Sequence, residues 1–353
     1  MSSVFFLILF SCEKESFNDS NTKKTKGFKI LSYSGGENSR GIENNILSFD
    51  NEDEYYATLD SLESAYNKYS DEFTEQVNGM TDEAINNKVE SEGIDLEKTL
   101  TDFEKQYNFV SLRNSIDDKE KTWLQNPNPD FITCPQIHSI SSLAERCLWN
   151  NKGEIMISGK IFKYDQDDIK YIEIKDGDFL KLAQINAGSI AVLSDPNVSV
   201  SYKQADNTST TVMATNSLNC TSQNGNLFTT PLGGYQVVCS NRLLPKSWFG
   251  GKHSLSAGTV AYKKVGDFYS RYITLIQTDL YGERYRDCGD DPALVQGLSR
   301  HVYNSSLSVE LKRNYKISTK YNNSFSSINS HHGVGNPGVA YFPPFEANYR
   351  LKY

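Results

Sequence analysis

Leu148-Trp149-Asn150-Asn151-Lys152-Gly153-Glu154-Ile155-Met156-Ile157-Ser158-Gly159-Lys160-Ile161-Phe162-Lys163-Tyr164-Asp165 is the stretch where the chain changes period. Before it, apolar residues recur at helical spacing; from it onward they alternate. Leu148-Trp149, Glu154 to Ile157 and Lys160 to Tyr164 read as strands, with turns at Asn150 to Gly153 and at Ser158-Gly159. A further strand, Ile169 to Ile174, ends at Asp176-Gly177. Short β-branched and aromatic runs between closely spaced turn residues mark an antiparallel meander.

Upstream, Asn51 and Glu54 form a capping box. Tyr55, Leu59, Leu62, Tyr66, Tyr69 and Phe73 then recur at spacings of four and three, which predicts a helix to about Val77, stopped by Asn78-Gly79. Thr81 to Glu92 predicts a second helix with Ile85 and Val89 inward, and Leu96, Leu100, Phe103 and Tyr107 a third. The expectation is a small bundle whose acidic residues face water. Ser115 to Pro135 is charged and broken by Pro127, Pro129 and Pro135, so a domain boundary is placed there.

Downstream, two strand candidates flank Asp195-Pro196 between Ile190 and Tyr202. Ala205 to Asn226 reads as a long polar loop. Tyr235 to Val238, Tyr269 to Asp279, Leu307 to Leu311 and Tyr349 to Tyr353 read as strands, the last an edge whose charges discourage pairing with other sheets. The expected fold is α+β: a small N-terminal helical segment, then a mostly antiparallel β-sandwich or jelly-roll-like domain.

Composition agrees with this pattern. The 353 residues are only 38% hydrophobic yet include 21 Tyr and 18 Phe, and the mean hydropathy is −0.54. A Tyr-, Asn- and Ser-rich chain of this kind favours β-structure with polar loops. The net charge of −8 is unevenly distributed. Glu43 to Lys105 carries 18 acidic and 4 basic residues, whereas Arg300 to Tyr353 carries 7 basic and 2 acidic. These read as a solvated acidic helical face and a basic β-edge. Lysines and arginines do not cluster with stacking aromatics on a recognisable module, which argues against nucleic acid as a partner.

The first residues, MSSVFFLILFSCEKE, fix a location. Val4 to Phe10 is an apolar run too short for a bilayer core that needs about 20 residues, and it ends at Ser11-Cys12 as a secretion signal does. Leu9-Phe10-Ser11-Cys12 resembles the lipobox of bacterial lipoproteins. That resemblance implies that 1–11 is a signal peptide, that Cys12 is acylated, and that the membrane is a partner through this lipid anchor. Glu13-Lys14-Glu15 is similar to the charged signals that send Bacteroidetes lipoproteins to the outside of the outer membrane. Residues 12–45 are polar and aperiodic, and read as a flexible tether. Residues 46–130 follow as the helical region and 131–353 as the β-rich domain.

A second resemblance rests on three phrases: LSFDNEDEYYATLDSL, FEKQYNFVSLR and LWNNKGEIMISGKIFKYD. Phe49, Glu54-Tyr55, Phe109, Ser111-Leu112, Asn150, Gly153-Glu154-Ile155 and Ile161-Phe162-Lys163 match a group of uncharacterised Bacteroidetes lipoproteins over about 120 residues. The likeness implies attachment at the cell surface or periplasm, and it brings no catalytic residues with it.

Six cysteines occur. In an oxidising compartment, proximity suggests Cys134 with Cys147 and Cys220 with Cys239, leaving Cys288; pairing of Cys288 with any of the four competes, since sequence does not fix connectivity. No CxxC or HxxxH spacing points to zinc. His138, His253, His301, His331 and His332 form no known metal motif, although His331-His332 before Gly333 could ligate a metal from a Gly/Ser loop. Cys288 sits beside Asp287, Asp290 and Asp291, carboxylates that oppose thiolate formation. No catalytic residue, cofactor or resident metal is assigned. Loose calcium at the hairpin acids Asp165, Asp167, Asp168, Asp176 and Asp178 is the one exception, and they lack the Gly and Glu of a calcium loop.

Aromatic platforms are easier to place. Trp248-Phe249, Tyr281 with Tyr285, and Tyr341-Phe342 with Phe345 fall in predicted loops beside Gly or Pro, where a ring could stack on a sugar face. The expected function is therefore a lipid-anchored surface protein with a binding or assembly role toward a glycan or a partner protein. A surface polysaccharide hydrolase with unassigned carboxylates and an inert structural component of the envelope are the alternatives.

Overall fold

The computed structural model describes residues 27–33, 44–107, 109–136, 138, 140, 142–165, 170–202, 227–232, 235–244, 253–284, 294–313, 327–334 and 345–350. The first sheet contains β1 (Lys29–Ser32), β2 (Asn45–Phe49), β3 (Glu154–Ile157), β4 (Lys160–Asp165), β5 (Lys170–Ile174) and β6 (Val198–Tyr202), in that order. All neighbours are antiparallel except β2 and β3, which run parallel with Ser48 opposite Met156.

A parallel pair needs a long crossover. Here it contains α1 (Glu52–Gln76), α2 (Asp82–Glu92), α3 (Lys98–Lys105), α4 (Leu112–Trp123) and α5 (Leu143–Arg146). Strand pairing therefore crosses residue 130, where the sequence suggested a boundary, and draws Lys29–Ser32 out of the expected tether into a sheet. Every residue of β2 is buried. Covered on both faces, it lacks the alternation that marks a half-wet strand.

The meander is found where the sequence places it, in β3, β4 and β5. Leu148-Trp149 is not a strand; Asn150 instead makes an isolated bridge to Ser111. One face of the sheet packs Leu47, Phe49, Ile155 and Phe162 against Tyr55, Leu59 and Leu62 of α1. The other packs Ile46, Ile161, Ile172 and Ile174 against Leu182 of α6 (Phe179–Asn186). Helices therefore cover both faces and are not confined to the N-terminus. Between Ile190 and Tyr202 only β6 is a strand; Ala191–Ser194 is a 3₁₀ turn closed by Asp195, whose side chain accepts from the Asn197 amide at 2.8 Å.

The remaining strands form two antiparallel sheets. One contains β7 (Leu227–Leu232), β8 (Tyr235–Leu244), β9 (His253–Val265), β10 (Phe268–Arg271) and β13 (Ser306–Arg313), with β9 pairing β8 on one side and β10 and β13 on the other. The other holds β11 (Thr274–Arg284), β12 (Leu294–Asn304), β14 (Ser327–Val334) and β15 (Phe345–Arg350), ordered β12-β11-β14-β15. Val237, Ala261 and Leu307 from the first and Ile276, Val302 and Val334 from the second share a buried cluster.

The chain passes between these two sheets at Tyr272-Ile273 and at Ser305, so the expected single strand from Tyr269 to Asp279 is two strands in different sheets. Helices seal both crossings. Asn86 of α2 accepts from the Ile273 amide at 3.0 Å and donates to the Ile273 carbonyl at 2.8 Å, standing in for a missing strand neighbour. Asp82 accepts from Tyr235 and Thr274 hydroxyls. At the second crossing Asn304 donates to the Tyr66 hydroxyl of α1 at 3.1 Å, and the Thr74 hydroxyl receives the Tyr303 amide.

Candidate functional site

Two buried polar clusters stand out against the apolar packing. The larger joins the helices to the β10 strand. The N-cap of α4, Ser111, donates to Glu104 and accepts from the Asn114 amide. Two turns of α4 then bring Arg113, Asp117 and Glu120 inward beside Ile116. Arg113 forks onto Glu97 and Glu104 of the α3 segment and reaches Asp117 at 3.3 Å. From the opposite side, Arg271 of β10 reaches Glu97 at 3.2 Å, Asp117 at 2.8 Å and Glu120 at 2.5 Å. Gln136 bridges Asp117 and Glu120, and Arg146 donates to the Gln136 side chain and to the carbonyls of Gln136 and Ile140. The expectation that acids of the helical bundle face water therefore fails at Glu97 and Glu104, and the segment from Ser115, expected to be broken, supplies Asp117 and Glu120 from a helix.

The electrostatics fit a fastening role. Burial works against the Arg113 and Arg271 charges, but hydrogen bonds and carboxylates around them outweigh it and hold both guanidiniums above their usual range. Burial pushes Glu97 up, opposed by the two arginines. Arg146, ringed by carbonyls rather than carboxylates, is drawn down to about 10 by burial. Such a cluster is costly to desolvate and costly to break, because removing one partner strands the others.

The second cluster lies inside the first sheet. Glu154 of β3 has no solvent exposure. Its carboxylate accepts from the Tyr33 hydroxyl at 2.6 Å, Asn150 Nδ2 at 2.9 Å, Asn186 Nδ2 at 2.7 Å and Lys163 Nζ at 3.3 Å. Lys163 faces it directly in register across β4 and also donates to the Lys152 carbonyl at 3.0 Å. Burial and the Glu154 charge raise the Tyr33 hydroxyl far above its usual range, so it stays a donor.

The structure separates the residues singled out from sequence. Cys12, Cys220, Trp248, Phe249, Tyr285, Cys288, Tyr341 and Phe342 lie outside the described residues. Cys134 and Cys147 are buried free thiols, so the expected bridge between them is not formed. Cys134 Sγ sits 3.1 Å from the Tyr262 hydroxyl, and Cys147 Sγ donates to the Leu143 carbonyl at 3.3 Å, each held by its own neighbours. Burial pushes the Cys134 thiol up to about 11, too high for a nucleophile at neutral pH.

Cys239 lies in β8 between Phe228 and Thr259. Tyr281 is not in a loop: it lies within β11, opposite Gly297 of β12 and Asn329 of β14, so its platform is not the loop expected. His331 and His332 are likewise strand residues of β14, and His138 is buried with Nδ1 accepting from the Ile140 amide. Of the hairpin acids, Asp178 caps α6 and Asp176, together with Asp195, holds Lys181 at 2.5 and 3.0 Å; Asp167 and Asp168 lie outside the described residues. Among the described residues no group of three His, Cys, Asp or Glu side chains is arranged to hold a metal ion.

Arg113, Glu120, Gln136, Arg146, Tyr262 and Arg271 were not legible as site residues. One signal was available: Leu112, Arg113, Ile116 and Glu120 share a helical face, so charge at inward positions announces a buried ionic contact.

The chain is thus a mixed helix and sheet protein with antiparallel sheets. Neither a protein-family model nor a curated protein matches it. A crystal structure of a DUF4848 family protein from Bacteroides thetaiotaomicron is a weak neighbour, 13% identical with a TM-score of 0.19, the match covering 87% of this chain and 97% of that one.

Proposed function

We propose that this chain is a lipid-anchored protein of the bacterial outer-membrane surface whose folded part binds a glycan or a partner protein. The observation that supports it is the short distance along the chain between the lipobox and the core. Phe28 is the first core residue, 5% exposed and packed on Phe49 and Tyr107. Fifteen residues lie between it and Cys12, a span that at full extension reaches about 55 Å. Acylation at Cys12 would therefore hold the fold within roughly one domain diameter of the bilayer. The buried charges at Arg113, Arg271 and Glu154 fasten layers to one another, which suits a rigid scaffold displaying loops. The two later sheets, sharing one core, would make the sandwich that presents them.

Mass spectrometry of the mature N-terminus tests the anchor: an acylated Cys12 is expected, and a chain that keeps Met1 and stays in the soluble fraction refutes it. Protease treatment of intact cells tests exposure. Glycan-array binding lost in Trp248→Ala or Tyr281→Ala supports recognition of carbohydrate, whereas release of reducing ends identifies the hydrolase alternative.

A further inference from the structure

The Glu154 cluster places an amine, a carboxamide and a carboxylate within reach of one another, with the carboxylate fully buried. Lys163 Nζ and Asn186 Nδ2 both donate to the same oxygen, Glu154 Oε1, at 3.3 and 2.7 Å. Glu154 is fully buried and Lys163 is 9% exposed. Asn150, the other amide on this carboxylate, has its Oδ1 tied to the Lys152 and Glu154 amides and its Nδ2 to Asn45, so it is locked in the turn. Asn186 ends α6, the helix over the other face of the sheet. Its Nδ2 points inward to Glu154 and the Tyr33 hydroxyl.

From this geometry we propose that Lys163 and Asn186 form an intramolecular isopeptide bond, with Glu154 moving the proton. Glu154 takes a proton from the Lys163 ammonium, and the freed amine attacks Cγ of Asn186. Glu154 then passes that proton to Nδ2 and the Cγ–Nδ2 bond breaks as ammonia leaves; the attacking nitrogen gives up its remaining extra proton, through Glu154, to the departing ammonia, which goes as ammonium. The net change converts an ammonium and a primary amide into a secondary amide and an ammonium ion, with no oxidant or external reactant. Ammonia has a route out, because the Asn186 residue itself lies at the surface. A carboxylate already bonded to both reacting groups is pre-organised for such a proton transfer. The product ties α6 covalently to β4, a strap across the sheet that is independent of where the chain resides.

Mass spectrometry of the purified full chain tests this. The expected result is a mass lower than the sequence requires by one ammonia, about 17 Da. A digest should contain a branched peptide joining Lys163 to Asn186, with no tryptic cleavage at Lys163. Glu154→Gln and the surface substitution Asn186→Ala should each restore the unlinked chain and cleavage at Lys163. Asn186→Ala removes one donor to Glu154 but leaves Tyr33, Asn150 and Lys163 on the carboxylate, so it remains informative if Glu154→Gln does not fold. A folded wild-type chain at full mass, cleaved normally after Lys163, overturns the proposal, as does a link to Asn150.

Discussion

Asn86→Ala tests how the helices hold the β-sheets. At Tyr272-Ile273 the chain leaves one sheet for the other, and Ile273 has no strand partner on the helix side. The Asn86 amide takes that place, with bonds of 2.8 and 3.0 Å to the two backbone groups of Ile273, and it also donates to the Asp82 carbonyl at 2.7 Å. Ile273 is 7% exposed, so its amide and carbonyl have little access to water once the side chain is gone. Two net hydrogen bonds at about 1 kcal/mol each, plus about 1 kcal/mol for backbone groups left unsatisfied, give a loss near 3 kcal/mol. Alanine's better helix propensity returns about 0.5 kcal/mol, leaving about 2.5 kcal/mol. Asn87→Ala, at the exposed neighbouring position of the same helix, is the control and should be neutral or slightly stabilising. Urea unfolding followed by near- and far-ultraviolet circular dichroism gives both values, and hydrogen exchange at the Ile273 amide reports the site itself. If Asn86→Ala loses less than about 0.5 kcal/mol, or Asn87→Ala loses as much, the amide is not substituting for a strand.

Other substitutions probe the remaining layers. Arg271→Met strands Glu97, Asp117 and Glu120 beside Arg113 alone and should cost about 3–5 kcal/mol at neutral pH, the deficit narrowing in acid urea titrations as Glu97, which burial already raises, takes up a proton. Arg271→Lys, keeping the charge but not the fork, should fall between the two. Gly153 has φ of +70° and its missing Cβ would land on the Tyr164 carbonyl, so Gly153→Ala should cost about 2–4 kcal/mol in the same assay; Gly188, with φ of +80° and open space, should lose only about 1 kcal/mol. The Cys134 thiol is raised from about 9 to about 11, so its contribution is fully present below pH 9 and lost as pH climbs through 11. That gap corresponds to about 2.7 kcal/mol. Stability of the wild type should therefore fall more steeply across this window than that of Cys134→Ala, and parallel curves would contradict it.

What could be read from the sequence and what could not divides along a physical line. α1 was legible because Tyr55, Leu59, Leu62, Tyr66 and Phe73 make one apolar stripe, and the structure buries that stripe. The β3 to β5 meander was legible because its turns carry Gly153, Gly159 and Gly177 at positive φ, a conformation that favours glycine. α4 was not, since two of its inward positions are Arg113 and Glu120, whose partners lie on the preceding helical segment and on β10, the latter remote in sequence. β2 was not, since burial on both faces erases alternation.

The same reasoning explains why strand pairing crosses residue 130, where composition suggests a boundary. Composition changes there, from acidic helix to aromatic strand, but composition records what faces solvent, whereas connectivity is set by what is buried. Arg271 is 154 residues from Asp117, and Asn86 is 187 from Ile273. Contacts that span such separations are slow to find and are made only once both layers exist. Helices and later sheets should therefore unfold together: Asn86→Ala and Arg271→Met should each shift the helical and the aromatic signals to the same urea midpoint. A helical transition that stays put while the near-ultraviolet signal moves would mean that the two parts are separate units and that the polar seams between them hold little.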